Sequence, residues 1–405
     1  MQVVSPYILR SRLCKLNLGA QDLTLDKVEG SGKSQMEMRT QSSGRCLCGT
    51  AKPAAAVQQK HNLYLVLDDW DKGYSIYRVS EEDFVVSDAD ADADDKNSPR
   101  QQADSPLVRI KAYQCAWFVA GHETKIFAMN PAKSSPGIPV LDTATLSMTV
   151  CPNTYSRGDH GQRPVYASVG DRFLCFSYPF VDVLGPEPAA LSGAWSWTTI
   201  EHDQPFDSTS VGGYAVHPDG RTVFMSVWGY NPDVSPARIH GDRCSTYAFD
   251  MERLDWTYLG EWTLPFRGQA HYDRELDAWV GICWYKQDGA AGRVCCCDVP
   301  PDAEPRDTVP TWRLGVDVLF RPDDLHFGAK LVYKGDSNFC LVESRRRVHD
   351  DHDGRYFRDV KMTSFALKYD KLGDLRTTRR RGYASLWYQS HKGGNPADDP
   401  VAFWM

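Results

Sequence analysis

From His61 onward, apolar and polar positions alternate in short runs that Gly, Pro and Asp interrupt at regular distances. "NLYLVLDDW" and "GYSIYRV" are the first two, joined by a turn containing Asp71, Lys72 and Gly73. Runs of this length, rich in β-branched and aromatic residues and bounded by turn-formers, predict strands and hairpins. "GGYAVHPDGRTVFMSVWG" pairs Tyr214–Val216 with Thr222–Val227 across Pro218-Asp219-Gly220, where each turn residue has the backbone freedom or side-chain acceptor a tight turn needs. "GQAHYDRELDAWVGICW" repeats the device across Asp273-Arg274-Glu275-Leu276, and "GAKLVYKGDSNFCLVES" across Gly335-Asp336-Ser337. No segment carries the 3.6-residue period of an amphipathic helix of ordinary length.

A second hairpin type has its first strand ending in Asp. It occurs at Asp142 in "IPVLDTATLSMTVCP", at Asp250 in "CSTYAFDMERLDWTYLG", at Asp298 in "GRVCCCDVPPDAEPRDTVPTWRLG" and at Asp370 in "TSFALKYDKLGDLRT". Asp142 and Asp250 are 108 residues apart, twice 54, and "VYASVGDRFLCFSYPFVDV…AWSWTTI" supplies one further unit between them without the Asp. A period near 50 residues made of four short strands predicts propeller blades. Each unit combines a small-residue-led inner strand, as at Gly212-Gly213, a hydrophobic second strand, a third ending in Asp, and a fourth bearing Trp256 or an apolar counterpart. Six units are expected. The first, 62–110, shows three strands and lacks an inner one. The run "GYASLWYQS", led by Gly382 and containing Trp387, has no partner in its own unit. It is expected to enter the first blade and close the ring, which leaves only short sheet edges. The alternatives are a large β-sandwich or two smaller β domains. The resulting division is a disordered extension over 1–60, polar and rich in small residues, a propeller over 61–392 and a C-terminal tail over 393–405.

This grammar of small-residue-led strand, Asp-ended strand, polar turn and Trp resembles the kelch-repeat propellers. Only Gly212-Gly213 is a true double glycine, and the Asp-turn-Trp signature is clean only from Asp250 to Trp256. Residues from about 61 to 390 resemble an uncharacterised plant family, abundant in grasses, that has a kelch-like repeat domain of unknown function. "LYLVLDDWDKGYSIYRV", "KIFAMNPAKSSPGIPVLDTATLSM" and "EWTLPFRGQAHYDRELDAWVGICW" carry that resemblance. It implies fold and kingdom and no particular activity. Kelch-like plant proteins are often fused to an F-box, but the first 60 residues lack the Leu-Pro-led apolar helical pattern of one.

Composition narrows the function classes. The net charge of -7 argues against the whole fold acting as a trap for nucleic acid. No apolar run approaches the ~20 residues needed to span a bilayer. "MQVVSPYILRSRLCKLNLG" lacks the continuous apolar core of a secretory signal, so a cytoplasmic or nuclear location is expected, with organellar import as the alternative. The 12 cysteines are then expected as reduced thiols packed as small apolar residues. "EGSGKS" at Glu29–Ser34 ends like a phosphate loop but has Lys27 where that loop needs Gly. Cys14, Cys46 and Cys48 lack paired zinc spacing. Cys295–Cys297 fall on alternate faces of a strand and cannot converge on one ion without a bend. "HDDHDG" at His349–Gly354, a weak divalent-cation candidate, sits between basic flanks and is expected to be a solvated loop. Arg379–Arg381 is expected as a polar turn before the closing strand, with phosphate contact or nuclear import as alternatives. No Gly-x-Ser-x-Gly elbow is present.

No catalytic residue, metal ligand or cofactor emerges from this reading. The residues singled out are the structural repeat positions Asp142, Gly212, Gly213, Asp250, Trp256, Asp298, Asp370 and Trp387. The expected function is a non-enzymatic scaffold that binds another protein through the inserts Ser80–Ser105, Tyr155–Arg163, Asn231–Asp242 and Ser344–Arg358 on one face of the ring. The rival expectation is an enzyme with its site at the central channel, marked by inward-facing polar residues of perturbed ionisation.

Overall fold

Residues alternating between two buried faces need partners on both sides, and the chain meets that need with strands alone. A computed structural model describes residues 61–68, 73–86, 100–103, 105–110, 117–129, 137–154, 164–188, 194–200, 204–228, 244–283, 289–305, 309–347, 356–383, 385–390 and 400–405. The extension expected over 1–60, with Glu29–Ser34, Cys14, Cys46 and Cys48, lies outside the described residues, as do the inserts 155–163 and 231–242 and the segment His349–Gly354. Among the described residues there are strands and two single 3-10 turns, Glu81–Asp83 and Ser208–Ser210, and no α-helix.

The strands form successive antiparallel groups of four. The second sheet is Trp117–Gly121, Lys125–Met129, Gly137–Asp142 and Met148–Pro152. The third is Val165–Val169, Arg172–Ser177, Phe180–Leu184 and Trp197–Ile200. The fourth, Val211–Val216, Thr222–Trp228, Cys244–Asp250 and Asp255–Gly260, continues into the fifth, Phe266–Asp273, Ala278–Cys283, Val294–Asp298 and Trp312–Leu314. Their leading strands join in parallel, Gly213 opposite Gly268 and Ala215 opposite Ala270. The sixth is led by His326–Gly335, followed by Asn338–Arg346, Tyr356–Tyr369 and Leu375–Gly382.

The first sheet is assembled differently. Asn62–Asp68, Tyr74–Ser80 and Val108–Ile110 supply three strands, and the leading position is filled by Val401–Trp404, with Leu65 opposite Ala402. This corrects the expectation for "GYASLWYQS". Ser385–Ser390 does not join the first sheet; it pairs with the first half of Tyr356–Tyr369, Asp359 opposite Trp387. The physical reason is length. That strand runs 14 residues, and its second half already pairs with Leu375–Gly382, so its first half offers an edge along which Leu386 and Tyr388 become buried. Val401–Trp404 falls in the segment expected as a tail, and four residues are too few to show a period. The insert from Ser80 is also not wholly a solvated loop: Val85–Val86 pairs with Arg381 and Gly382, and Arg100–Gln102 pairs in parallel with Ser385–Trp387. Arg379–Arg381 accordingly lies within a strand and not in a turn.

The core is a series of hydrophobic clusters between consecutive sheets. Phe118, Ile126 and Leu141 meet Tyr64, Ile76 and Phe403 between first and second. Phe176 and Val183 meet Val223 and Phe249 between third and fourth. Phe224 and Leu259 meet Trp279 and Cys295 between fourth and fifth. Between sixth and first, Val342, Met362 and Leu386 meet Leu63, Leu65 and Ala402. A sheet buried on both faces by its neighbours is the packing of a propeller-like all-β fold.

Candidate functional site

The repeat positions do not converge. Three of the Asp residues do the same local work at strand ends. Asp142 Oδ1 accepts from the Ala144 amide at 2.9 Å, Asp250 Oδ1 from Glu252 and Arg253 at 2.8 and 3.1 Å, and Asp370 Oδ1 from Leu372 and Asp374 at 2.8 and 3.0 Å. A carboxylate that accepts from the next amides reverses the chain locally. The Arg376 guanidinium, with the Asp374 and Leu372 amides, holds the Asp370 carboxyl below the ordinary carboxylate range, and at Asp142 the upward push of burial is outweighed by bonds from Thr145, Ala144 and Lys125. Asp298 is exposed and opens a longer loop. Trp256 wedges between Phe176, Phe206 and Phe249, with ring centroids 5.6, 5.0 and 5.0 Å away, and locks the third sheet to the fourth. Trp387 packs on Phe357 at 6.0 Å and under the Arg347 guanidinium at 4.9 Å.

The glycines lead inward. A Cβ on Gly213 would stand 2.4 Å from the Phe266 carbonyl oxygen, so only glycine permits the parallel approach of the fourth and fifth leading strands. The opposing Gly268 takes φ +70° within a bulge between Arg267 and His271, which pushes the backbone inward. Gly212 lines a cavity of about 590 Å³ to which the leading strands of all the sheets contribute. Side chains bridge neighbouring strands around it. Ser168 Oγ donates to the Ala120 carbonyl at 3.0 Å, Tyr214 Oη to the Tyr166 carbonyl at 3.0 Å, and His271 Nε2 faces the Leu331 carbonyl at 3.3 Å.

Most of this wall is apolar, aromatic or small: Phe118, Val119, Ala120, Val211, Leu331 and Phe403 are typical. Among them stand Tyr166, Tyr214, Gln269, His271 and Lys330. Burial raises the Tyr166 and Tyr214 phenols, so both act as neutral hydrogen-bonding groups. Burial, with Lys330 nearby, pushes His271 down to about 4 and leaves it neutral at pH 7. A carbonyl can only accept, so Nε2 carries the imidazole hydrogen and Nδ1 keeps its lone pair. The channel thus combines apolar walls with several perturbed ionisations: burial raises the phenols of Tyr166, Tyr214 and Tyr333 and lowers the imidazoles of His122 and His271. Among the described residues, no group of three His, Cys, Asp or Glu side chains is placed to hold a metal ion. Cys295 and Cys297 join the core on one side of their strand and Cys296 the core on the other; burial pushes the Cys297 thiol up to about 12.

Tyr214, Gln269, His271, Lys330 and Phe403 did not emerge from the motif search. A usable signal was present: each follows the small residue that leads its strand, in Gly213-Tyr214, Gly268-Gln269-Ala270-His271, Gly328-Ala329-Lys330 and Ala402-Phe403. Superposing the units on those small residues collects the channel wall.

Fold and channel together define a propeller-like all-β protein with a lined central cavity. The profile of the family described as "Protein of unknown function (DUF1668)" matches residues 60–384, and the chain belongs to that family. No curated protein matches the chain. Among solved structures it is similar to the nidogen/laminin complex at 11% identity, covering 82% of this chain and 99% of that one with a TM-score of 0.37. It is also similar to a periplasmic gluconolactonase of Pseudomonas aeruginosa at 14% identity, covering 79% and 82% with a TM-score of 0.35. A third similarity, at 8% identity, is to the WD40 domain of SCAP from fission yeast, covering 66% and 59% with a TM-score of 0.26.

Proposed function

We propose that the chain is a six-bladed, kelch-like propeller, closed by Val401–Trp404 entering the first blade, and that it acts in the cytoplasm or nucleus as a non-enzymatic scaffold for another protein. The ring is supported by the shared cavity of the leading strands and by the cluster that joins the sixth sheet to the first.

One observation carries the binding role. Within a chain of net charge -7, the strands Asn338–Arg346, Tyr356–Tyr369 and Leu375–Gly382 carry nine Lys or Arg and two Asp or Glu; Arg345 is paired with Asp323 and Glu343 and Arg376 with Asp370, and the exposed basic end of the last strand is what faces solvent. Arg346 stands directly opposite Arg358, whose guanidinium lies over the Phe327 ring at 4.2 Å. Arg379 and Arg381 are exposed. Positive charge concentrated against the trend of the chain steers and orients a partner of opposite sign, so the partner has an acidic surface. Three of the four inserts leave from one side of the molecule. Arg345 lies opposite His326 and Val227 opposite Val211, so 344–358 and 231–242 leave beside the start of a leading strand, and 155–163 directly precedes Val165–Val169. Ser80–Ser105 leaves from the other side, since Ser80 lies opposite Asn62 at the Trp404 end.

Affinity capture with the full chain and with an Arg379→Glu/Arg380→Glu/Arg381→Glu variant tests this reading. A stoichiometric acidic protein held by the first and lost by the second supports it. No stoichiometric partner, equal capture by both, or binding abolished by nuclease overturns it. The rival reading, an enzyme at the channel, draws its support from the perturbed ionisation of His271.

A further inference from the structure

The outer edge of the second sheet is built unlike the outer edges of its neighbours. We propose that it pairs with the same edge of a second copy of the chain, joining two four-stranded sheets into one of eight about a two-fold axis at Thr149. The inference rests neither on the channel nor on the basic strands of the sixth sheet.

Register shows which backbone groups this edge leaves free. Met148–Pro152 runs antiparallel to Gly137–Asp142, with Val140 opposite Thr149 and Pro139 opposite Val150. The Asp142 amide donates to the Ser147 carbonyl at 2.9 Å. Bonded and non-bonded pairs alternate along an antiparallel ladder. Val140 with Thr149 and Ile138 with Cys151 are therefore the bonded pairs, and Met148 and Val150 turn their N–H and C=O groups away from the sheet. Pro139, which has no N–H to give, falls on a non-bonded pair accordingly. The next outward carbonyl, that of Pro152, accepts from Trp197 Nε1 at 2.9 Å. The free edge is thus Met148 and Val150.

Side chains are bare there too. Leu141 packs between the first and second sheets, and Met148, directly opposite it, shares that face with Leu146 and Val150. The three are 45%, 45% and 69% exposed. The first sheet, whose outer strand is only Val108–Ile110, leaves them uncovered. Sheet edges are ordinarily blunted by charge, shortness or a cover. Arg109 sits in the outer strand of the first sheet, Asp255 opens that of the fourth, Arg313 centres that of the fifth, and that of the sixth carries four Arg and is met by Val85–Val86. Trp197–Ile200 in the third runs straight into Glu201. In the second, no charged residue stands between Asp142 and Arg157.

The occupant follows from register and charge. Two copies running antiparallel about Thr149 place Met148 opposite Val150 of the partner subunit in both halves, which uses every free N–H and C=O; any other register leaves some unpaired. Thr149 then meets Thr149 of the partner subunit in the non-bonded pair, where side chains stand closest and a Thr–Thr contact favours pairing. An uncharged edge meets itself without repulsion, whereas the outer strands of the first, fourth, fifth and sixth sheets would each bring a charge. A loose peptide would gain the same bonds but give up its backbone freedom on docking, while a second copy presents a strand already ordered. The contact is isologous. One strand edge is smaller than a standard interface, so association is weak and reversible.

Sedimentation equilibrium on the full chain over a concentration series tests this. Wild type is expected at 45.6 kDa when dilute and towards twice that mass at millimolar concentration. Thr149→Asp sets two carboxylates against each other on the axis, and Val150→Pro removes only an outward N–H; each should weaken association roughly tenfold or more. Thr198→Asp, exposed on the outer strand of the third sheet, should associate as wild type does. Mixing Thr149→Asp chains with Thr149→Lys chains should restore association, because opposite charges then meet across the axis. Melts of the dilute chains, where wild type is itself monomeric, check folding; should Val150→Pro fail to fold, the Thr149 variants decide alone. Wild type at monomer mass throughout, association unchanged by Thr149→Asp, or a mixture that recovers nothing each overturns the proposal.

Discussion

The second to fifth sheets and the pair formed by the first and sixth solve the same packing problem with different chain economy. Each of the second to fifth takes four strands that follow one another in sequence. The first takes its leading strand from Val401–Trp404, and the sixth accepts Val85–Val86 and Arg100–Gln102 from the first sheet's insert. Lys334 ties this junction further. Its ammonium pairs with Glu81, donates to Ser364 Oγ at 2.8 Å and lies 4.6 Å from the Trp404 ring. Local pairing has little loop-closure entropy to overcome, whereas the seam must overcome the entropy of nearly the whole chain. The exchange in both directions, with a buried cation between, is how the seam compensates.

The largest test of this contrast sets Ala402→Asp against Thr149→Asp. Ala402 is 1% exposed between Leu65 and Val342, and Thr149 is exposed on the outer strand of the second sheet. An unpaired charge at the seam should cost about 3–5 kcal/mol, and the edge change should stay within about 0.5 kcal/mol. Equal denaturation midpoints would abolish the distinction. Next in size, Gly213→Ala should cost about 1–3 kcal/mol by overpacking against Phe266. Gly185→Ala, where a Cβ meets only Ser196 atoms at 3.6 and 3.7 Å, should be neutral in the same melts.

A pH series sharpens the picture of the channel. His271 and His326 sit near 4, below the ordinary value of about 6.5. Between those values the unfolded chain binds more protons than the folded one, so stability rises with pH across the window and is lost on acidification from about 6.5 towards 4. Melting temperature should fall over that range, and His271→Gln should flatten the slope; an unchanged slope would remove His271 from the account. The smallest effect separates the Asp turns. Asp250→Ala gives up two amide bonds and should cost ~1 kcal/mol. Asp298→Ala, at an exposed position, should leave the unfolding midpoint unmoved.

What the sequence disclosed follows the same division. Pro218-Asp219-Gly220 and Asp250-Met251-Glu252-Arg253 were legible because a hairpin is decided by residues in contact along the chain. The missing leading strand of the first unit was legible as a gap, but its filler was not. Trp387 and its neighbours make a stronger apolar run than Val401–Trp404, and nothing local reveals that Tyr356–Tyr369 has an edge to spare. The channel side chains were hidden for another reason. Tyr214, His271 and Lys330 are far apart in sequence and meet only because the leading strands share a cavity.

The partnership of Asn62–Asp68 with Val401–Trp404 also sets an order on synthesis. The middle sheets can complete themselves as they leave the ribosome, but Leu63 and Leu65, fully buried in the finished protein, must wait for a strand made more than three hundred residues later. Until that strand is made, the edge of Asn62–Asp68 that it covers has no partner, and an unpaired strand edge of this kind is a template for pairing with other chains.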